Sequence, residues 1–283
     1  MMKLAVSNIA WRVDEADAAL DRLEALGVPG LEIAPSLAFA GEADPFRPSP
    51  AAITAWRADV QRRGMTLVSM QSLLFGQAEA ALFGDEAGRR AFEAGIEAAI
   101  DLAGELACPN LVLGSPTARR IPANLCLEGA ESMAQDVIGR LGDRCRSVGA
   151  TLSLEPNPVA YGTNFLNTFA ETAAFAQALD HPAVRVNLDI GASTMNGEMA
   201  AVLSDLTQTV GLIGHVHISE PNLVAAPADT VELARILAAL LGVDHDGWAS
   251  IEMRATDGDN LDRLSVSVGR AQAALTRSEG ALE

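Results

Sequence analysis

Short apolar runs of strand length alternate with helical stretches along the whole chain. Leu4 to Ser7, Gly30 to Ile33, Thr66 to Met70, Asn110 to Leu113, Thr151 to Leu154, Val184 to Asp189, His215 to Ser219 and Trp248 to Glu252 have the length and Val/Ile/Leu content of buried strands. Between them the spacing turns helical. Ala18, Ala19, Leu23 and Leu26 recur up to a Gly27 stop, with Asp14 as the expected N-cap, and Ser49-Pro50 opens a helix running to Arg63. Phe92, Ile96, Ile100, Ala103 and Leu106 line one face before Pro109, and further helices are expected near 125–148, before Leu179, and over 198–206, 228–241 and 261–275. Gly41 to Pro50 is a Pro- and Gly-rich loop. Eight such units without a linker predict an α/β fold of the (β/α)₈ TIM barrel type, one domain over residues 1–283 with a frayed tail from about 276. A doubly wound open sheet is the weaker alternative, because Asn8-Ile-Ala-Trp11 after the first strand is no glycine-rich phosphate loop.

The polar residues that interrupt this pattern cluster at strand ends. Glu155, Asp189, His217 and Glu252 close four successive strands, and in a parallel barrel all strand ends open onto one mouth. Singly, each carboxylate could cap the next helix and a histidine could be a hydrogen-bonded core residue. Together they form an oxygen and nitrogen shell suited to one divalent cation, Mn²⁺, Mg²⁺, Co²⁺ or Zn²⁺. A cation would also relieve the mutual repulsion of the carboxylates. Bound to two adjacent oxygens of a hydroxyketone, it would acidify the carbon-bound proton between them, with Glu155 and Glu252 as the pair that moves it. His215 shares a face with His217. It joins Glu32, Gln71, Asn187, Trp11 and Arg254 as a candidate substrate contact, with Ser115 as a further hydroxyl binder. Arg119 and Arg120 are candidates for an anionic substrate or for rim salt bridges, and Phe39, Phe75, Tyr161 and Phe165 for a sugar-pocket wall or core.

Composition narrows the function. The chain of 283 residues is 49% hydrophobic but only 4% aromatic, so its core is aliphatic, and its net charge of −17 disfavours nucleic acid and anionic membranes as partners. The expected partner is a small sugar-like molecule, with homo-oligomers open. Cys108, Cys126 and Cys145 have no metal-like spacing and suit reduced thiols. No signal-peptide pattern and no run of about 18 apolar residues is present, so a cytoplasmic location is expected. Lys3 is the sole lysine, at the start of the first strand and away from the mouth, which excludes Schiff-base chemistry there.

Several motifs then resemble one family. Leu-Glu-Pro-Asn around Glu155, Tyr161-Gly-Thr-Asn-Phe-Leu-Asn-Thr168, Asn-Leu-Asp-Ile-Gly around Asp189, Gly214-His-Val-His-Ile-Ser-Glu220 and Ser-Ile-Glu-Met around Glu252 resemble the xylose isomerase-like sugar isomerase/epimerase superfamily. They are most similar to ketose 3-epimerases of the tagatose and psicose type, and Gly114-Ser-Pro116 adds to the likeness. The resemblance implies a barrel in which Glu155, Asp189, His217 and Glu252 hold one Mn²⁺, Mg²⁺ or Co²⁺ and the two glutamates form the acid/base pair. It also implies substrate contacts that this chain lacks, since Ala192, Gly162 and Leu223 stand where those epimerases carry a histidine, a glutamate and an arginine. An inosose-type dehydratase on the same metal, and a non-catalytic sugar-binding barrel, are the alternatives. Endonuclease IV belongs to the same superfamily. Its three zinc ions need additional histidines, and only His181 and His245 remain, on outer connections.

Overall fold

The computed structural model describes residues 2–280. Eight strands, β1 (Lys3–Ser7), β2 (Gly30–Ile33), β3 (Thr66–Met70), β4 (Asn110–Leu113), β5 (Thr151–Leu154), β6 (Val184–Asp189), β7 (Ile213–Ser219) and β8 (Trp248–Glu252), pair in sequence order. All pairs are parallel, and β8 returns to β1 to close the barrel. The TIM-barrel expectation is met.

Strand side chains alternate between the barrel interior and the helical layer. Leu111, Leu113, Leu152, Leu154, Val216 and Ile251 are fully buried apolar members of the strands. The residues between them are polar and equally buried: Ser69, Asn110, Ser153, Asn187, His215, His217 and Ser250. The two sets account for the strand patterns Leu-Ser-Leu, Val-Asn-Leu and His-Val-His-Ile-Ser. Within the polar set, Asn110 Oδ1 accepts from Ser153 Oγ at 2.6 Å, and Asn110 Nδ2 donates to Ser69 Oγ at 3.0 Å.

The outer layer contains α1 (Ala16–Ala25), α2 (Pro35–Ala38), α3 (Pro50–Arg62), α4 (Glu86–Leu106), α5 (Leu127–Ser147), α6 (Phe169–Leu179), α7 (Ile190–Met195), α8 (Met199–Ser204), α9 (Leu206–Thr209), α10 (Thr230–Leu241) and α11 (Asn260–Gly280). Asp14 is not the first N-cap: a 3₁₀ turn over Val13–Glu15 precedes α1, and Glu15 Oε2 accepts from the Arg12 N–H at 2.9 Å. The single helix expected over 198–206 is broken into α8 and α9, preceded by α7. Helix α11 runs to Gly280, past the Leu275 end given by the apolar spacing, so residues 276–280 are helical; 281–283 lie outside the described residues. No described helix is long and apolar enough to cross a membrane. Lys3 begins β1 at the end of the barrel opposite the mouth, its ammonium 5.3 Å from the Trp248 ring centroid.

Candidate metal centre

Glu155 follows β5, Asp189 ends β6 and Glu252 ends β8, and these three carboxylates line one cavity of about 480 Å³ at the C-terminal end of the barrel. His217 lies two residues below the end of β7. Register pairs it with Asp189 on one side and Ser250 on the other, so its buried ring sits just beneath the cavity while the three carboxylates line it. One donor atom from each of the four residues falls within 4.8 Å of all the others.

The histidine's tautomer is set from beneath. Glu32 Oε2 lies 3.0 Å from His217 Nε2, so that nitrogen carries the proton and Nδ1 presents its lone pair. Nδ1 faces Glu155 Oε1 at 3.1 Å and Glu252 Oε2 at 3.3 Å. A lone pair opposed to two carboxylate oxygens in a buried site demands a positive charge among them, either a proton or a cation. The titration of the site shows the strain of that demand. Burial, reinforced by the charges of Glu155 and Glu252, pushes the Asp189 carboxyl up to about 7. Burial opposes a charge on His217, yet Glu252, Glu32 and Glu155 together hold its pKa well above the ordinary value. The donor set, its convergence and this unbalanced charge all fit a divalent cation.

Each candidate ligand is held by neighbours. Asp189 has two jobs where the sequence offered alternatives: its Oδ1 caps α7 through the Ala192 N–H at 2.7 Å and accepts from Ser219 Oγ, while Oδ2 is left for the cavity. Glu252 Oε1 accepts from Gln71 Nε2 at 2.9 Å. Glu155 Oε1 accepts from Asn187 Nδ2 at 3.0 Å and Oε2 from Asn157 Nδ2 at 2.9 Å. Burial raises the Glu155 pKa, but His217, Asn157 and Arg119 more than offset it and hold the carboxyl low.

Several expected substrate contacts sit elsewhere. Glu32 is fully buried below the site; its Oε2 also lies 3.2 Å from His215 Nε2, and Gln71 Nε2 donates to Oε1 at 2.9 Å. His215 is a floor residue bound to Ser250 Oγ at 2.8 Å, and Asn187 is wholly enclosed between Glu155 and His217. These three hydrogen-bond to the candidate ligands or to one another rather than line the cavity, because the inward face of a strand continues below the rim. Trp11 belongs to a different groove, beside Phe39 and Trp56, and Phe165 is core. Phe75 is exposed outside the mouth. Arg119 is neither a rim salt bridge nor a substrate contact: it is completely buried and bonded to carbonyls. Gln71, Ser115, Tyr161 and Arg254 do line the cavity, together with Ser72, which carries no sequence signal, and Asn157, whose only signal is its place in the Leu-Glu-Pro-Asn motif.

The three departures also resolve into places. Ala192 is buried in the first turn of α7, and Gly162 has a left-handed φ of 93° outside the lining. Leu223 does face the cavity. Ser72, Ser115, Asn222 and Leu223 all line it with φ between 47° and 61°, a conformation costing a non-glycine residue roughly 1–2 kcal/mol. The Tyr161 hydroxyl accepts from the Asn222 N–H at 3.1 Å, and Leu223 O accepts from the Arg254 N–H at 2.8 Å, which ties the loops after β5, β7 and β8 together around the opening.

Comparison with known proteins gives a consistent picture. The family described as xylose isomerase-like TIM barrel matches residues 20–274. A ketose 3-epimerase of Arthrobacter globiformis is 30% identical over 110 residues, a stretch that is 39% of this chain and 37% of that protein's length. Among solved structures, an L-ribulose 3-epimerase superposes with a TM-score of 0.80 at 17% identity, over 100% of this chain and 97% of the other. A D-psicose 3-epimerase from Clostridium cellulolyticum H10, solved with D-tagatose, gives 0.73 at 20% identity over 100% of both chains. At these identities the structural likeness speaks for the fold.

Proposed function

The chain belongs to the xylose isomerase-like TIM barrel family, and on that premise we propose that it is a divalent-metal-dependent sugar isomerase or epimerase, folded as one barrel domain. The observation that carries this reading is the convergence of one donor atom each from Glu155, Asp189, Glu252 and His217 within 4.8 Å, with the three carboxylates lining a cavity. Those four residues would hold the cation, with Mn²⁺ the first choice for a shell of three carboxylates and one imidazole. The chemistry such a cation supplies when bound is polarisation of a carbonyl and its neighbouring hydroxyl, which acidifies the C–H between them.

The chain's own residues do the rest. Glu155 and Glu252 arrive from strands separated by β6 and β7, and each keeps a carboxylate beside the cavity. One takes the carbon-bound proton and the other returns it: return to the same carbon inverts it, and return to the adjacent carbon moves the carbonyl. Gln71, Asn157 and Asn187 fix both carboxylates by amide hydrogen bonds, so neither must reorient when the proton moves. Ser72, Ser115, Tyr161 and Arg254 are the polar walls for the substrate, which is a ketose, a polyol-derived ketone or a sugar acid. Relatives named as ketose 3-epimerases support that class. Three free cysteines, two of them buried, fit a reducing, cytoplasmic setting.

The test begins with chelator-stripped protein reloaded with Mn²⁺ and offered ketoses and inososes in deuterated water. Deuterium entering the substrate carbon without loss of water is the expected result, and a product absorbing as an enone would replace epimerisation by dehydration. Glu155→Gln and Glu252→Gln should each slow exchange by about 10²- to 10⁴-fold. Full activity in either variant, or no exchange with any substrate, overturns the mechanism.

A further inference from the structure

Arg119 is among the largest fully buried side chains of the protein, and its guanidinium donates to carbonyl and amide oxygens rather than to a carboxylate. A guanidinium removed from water is costly to maintain, and burial lowers its pKa to about 10, which still leaves it charged at neutral pH. Its bonds all go to groups flanking one side chain. Nε donates to Gly114 O at 2.6 Å, and Nη2 donates to the carbonyl of Glu155 at 2.8 Å and to Asn157 Oδ1 at 2.9 Å. Asn157 Nδ2 in turn donates to Glu155 Oε2 at 2.9 Å.

We propose that Arg119 is the positioning residue for Glu155, acting through Asn157 and Gly114. An amide has an oxygen end and a nitrogen end of nearly the same shape. With Arg119 occupying Oδ1, the Asn157 NH₂ is committed to the carboxylate; without it, the amide is free to turn and set its oxygen against Glu155 Oε2. The bond to Gly114 O holds the β4 end against the same carboxylate, where Glu155 Oε2 stands only 2.4 Å from the position a Cβ on Gly114 would take. The planar fork spans three acceptors at fixed angles, which a lysine ammonium on a flexible stem does not reproduce. Arg119 does not line the cavity, so its effect on substrate runs through the carboxylate alone.

This inference rests on Glu155 being a metal ligand and proton carrier, and its test separates the two ideas. Mn²⁺ is titrated calorimetrically into chelator-stripped wild type, Arg119→Lys, Asn157→Ala and the double variant, and α-proton exchange is followed on the reloaded proteins. Each single variant should lose roughly 10- to 100-fold in Mn²⁺ affinity. In Arg119→Lys the exchange rate at saturating substrate should fall while KM is nearly unchanged, and the double variant should lose no more Mn²⁺ affinity than the more affected single. Wild-type affinity in either single variant, or losses that multiply in the double, overturns the role of Arg119. If Arg119→Lys does not fold, Asn157→Ala alone decides: unchanged Mn²⁺ affinity and exchange refute the chain of contacts. A wild type that binds no divalent cation removes the metal centre itself, and this role with it.

Discussion

Gly114→Ala is a sharp probe of the candidate site because it adds one methyl at one place. The added Cβ would lie 2.4 Å from Glu155 Oε2 and 3.6 Å from Asn157 Oδ1, whereas ordinary contact begins near 3.4 Å. The carboxylate must therefore retreat by about 1 Å. It is the far end of a side chain, so the backbone can stay in place, and the folding cost belongs at the low end of overpacking, about 1 kcal/mol. Function has no such latitude. Asn157 and Asn187 hold both carboxylate oxygens, and a displacement of about 1 Å at a reacting group costs on the order of 100-fold, roughly 2.7 kcal/mol in the barrier. Gly30→Ala is the control: its methyl would meet the Trp248 ring at 2.6 Å and Ala5 Cβ at 2.7 Å, at the far end of the barrel. Thermal unfolding and Mn²⁺ titration of both variants should give opposite patterns. Gly114→Ala should keep nearly its full melting temperature and lose metal affinity and proton exchange; Gly30→Ala should lose about 1–3 kcal/mol of stability and keep its affinity. Wild-type affinity and exchange in Gly114→Ala would refute the placement of Glu155.

Saturating Mn²⁺ at about 100 times its Kd should stabilise the fold by about 2.7 kcal/mol, and a melting temperature that ignores Mn²⁺ would contradict the site. Mn²⁺ affinity should strengthen as pH rises through 7. The Asp189 carboxyl, raised to about 7 without metal, and the His217 ring, also raised, carry protons at lower pH that the cation must displace. Calorimetry in buffers of different ionisation heat should show those protons released, and a pH-independent Kd would be the contrary result. Glu32→Gln removes the carboxylate that fixes the His217 tautomer and should weaken Mn²⁺ by roughly 10- to 100-fold without touching the cavity wall; an unchanged titration would refute that role. Thiol labelling of native protein should modify Cys126 alone, since Cys126 is exposed while burial pushes Cys108 and Cys145 up to about 12, and all three should react after unfolding.

The barrel was legible because strands and helices have different apolar periods, and eight alternations leave few closed arrangements. The convergence of the four candidate ligands was legible for a geometric reason, in that parallel strand ends share a rim. What lay one layer deeper was not. Glu32, Asn187 and His215 carry the same polar letters as rim residues, and only the register shows that they sit below the cavity. The pairing of β2 with β3 slips between Leu31 and Glu32, an irregularity with no sequence signature. The left-handed turns at Ser72, Ser115, Asn222 and Leu223 were invisible because none is glycine. Arg119 was misplaced at the rim for a related reason: its partners are backbone carbonyls, which every residue carries.

The polar barrel interior explains why site and stability should separate so cleanly. Branched apolar side chains usually fill a barrel of this type. Here Glu32, Asn110, Ser153, Asn187, His215 and His217 occupy it, and each buried polar group left unpaired would cost about 1–3 kcal/mol. Nearly all are paired; among these six residues only Asn187 Oδ1 lacks a partner. The interior therefore contributes little hydrophobic stabilisation, which falls to the layer between strands and helices, where Phe92, Ile96, Ile100, Ile138, Leu237 and Val268 are fully buried. A hydrogen-bonded interior does something the apolar layer cannot: it transmits orientation, from Ser250 through His215 and Glu32 to the His217 ring, and from Arg119 through Asn157 to Glu155. Substitutions in the outer layer should thus move the melting temperature, and substitutions in the interior the metal affinity, because the two layers hold different things in place.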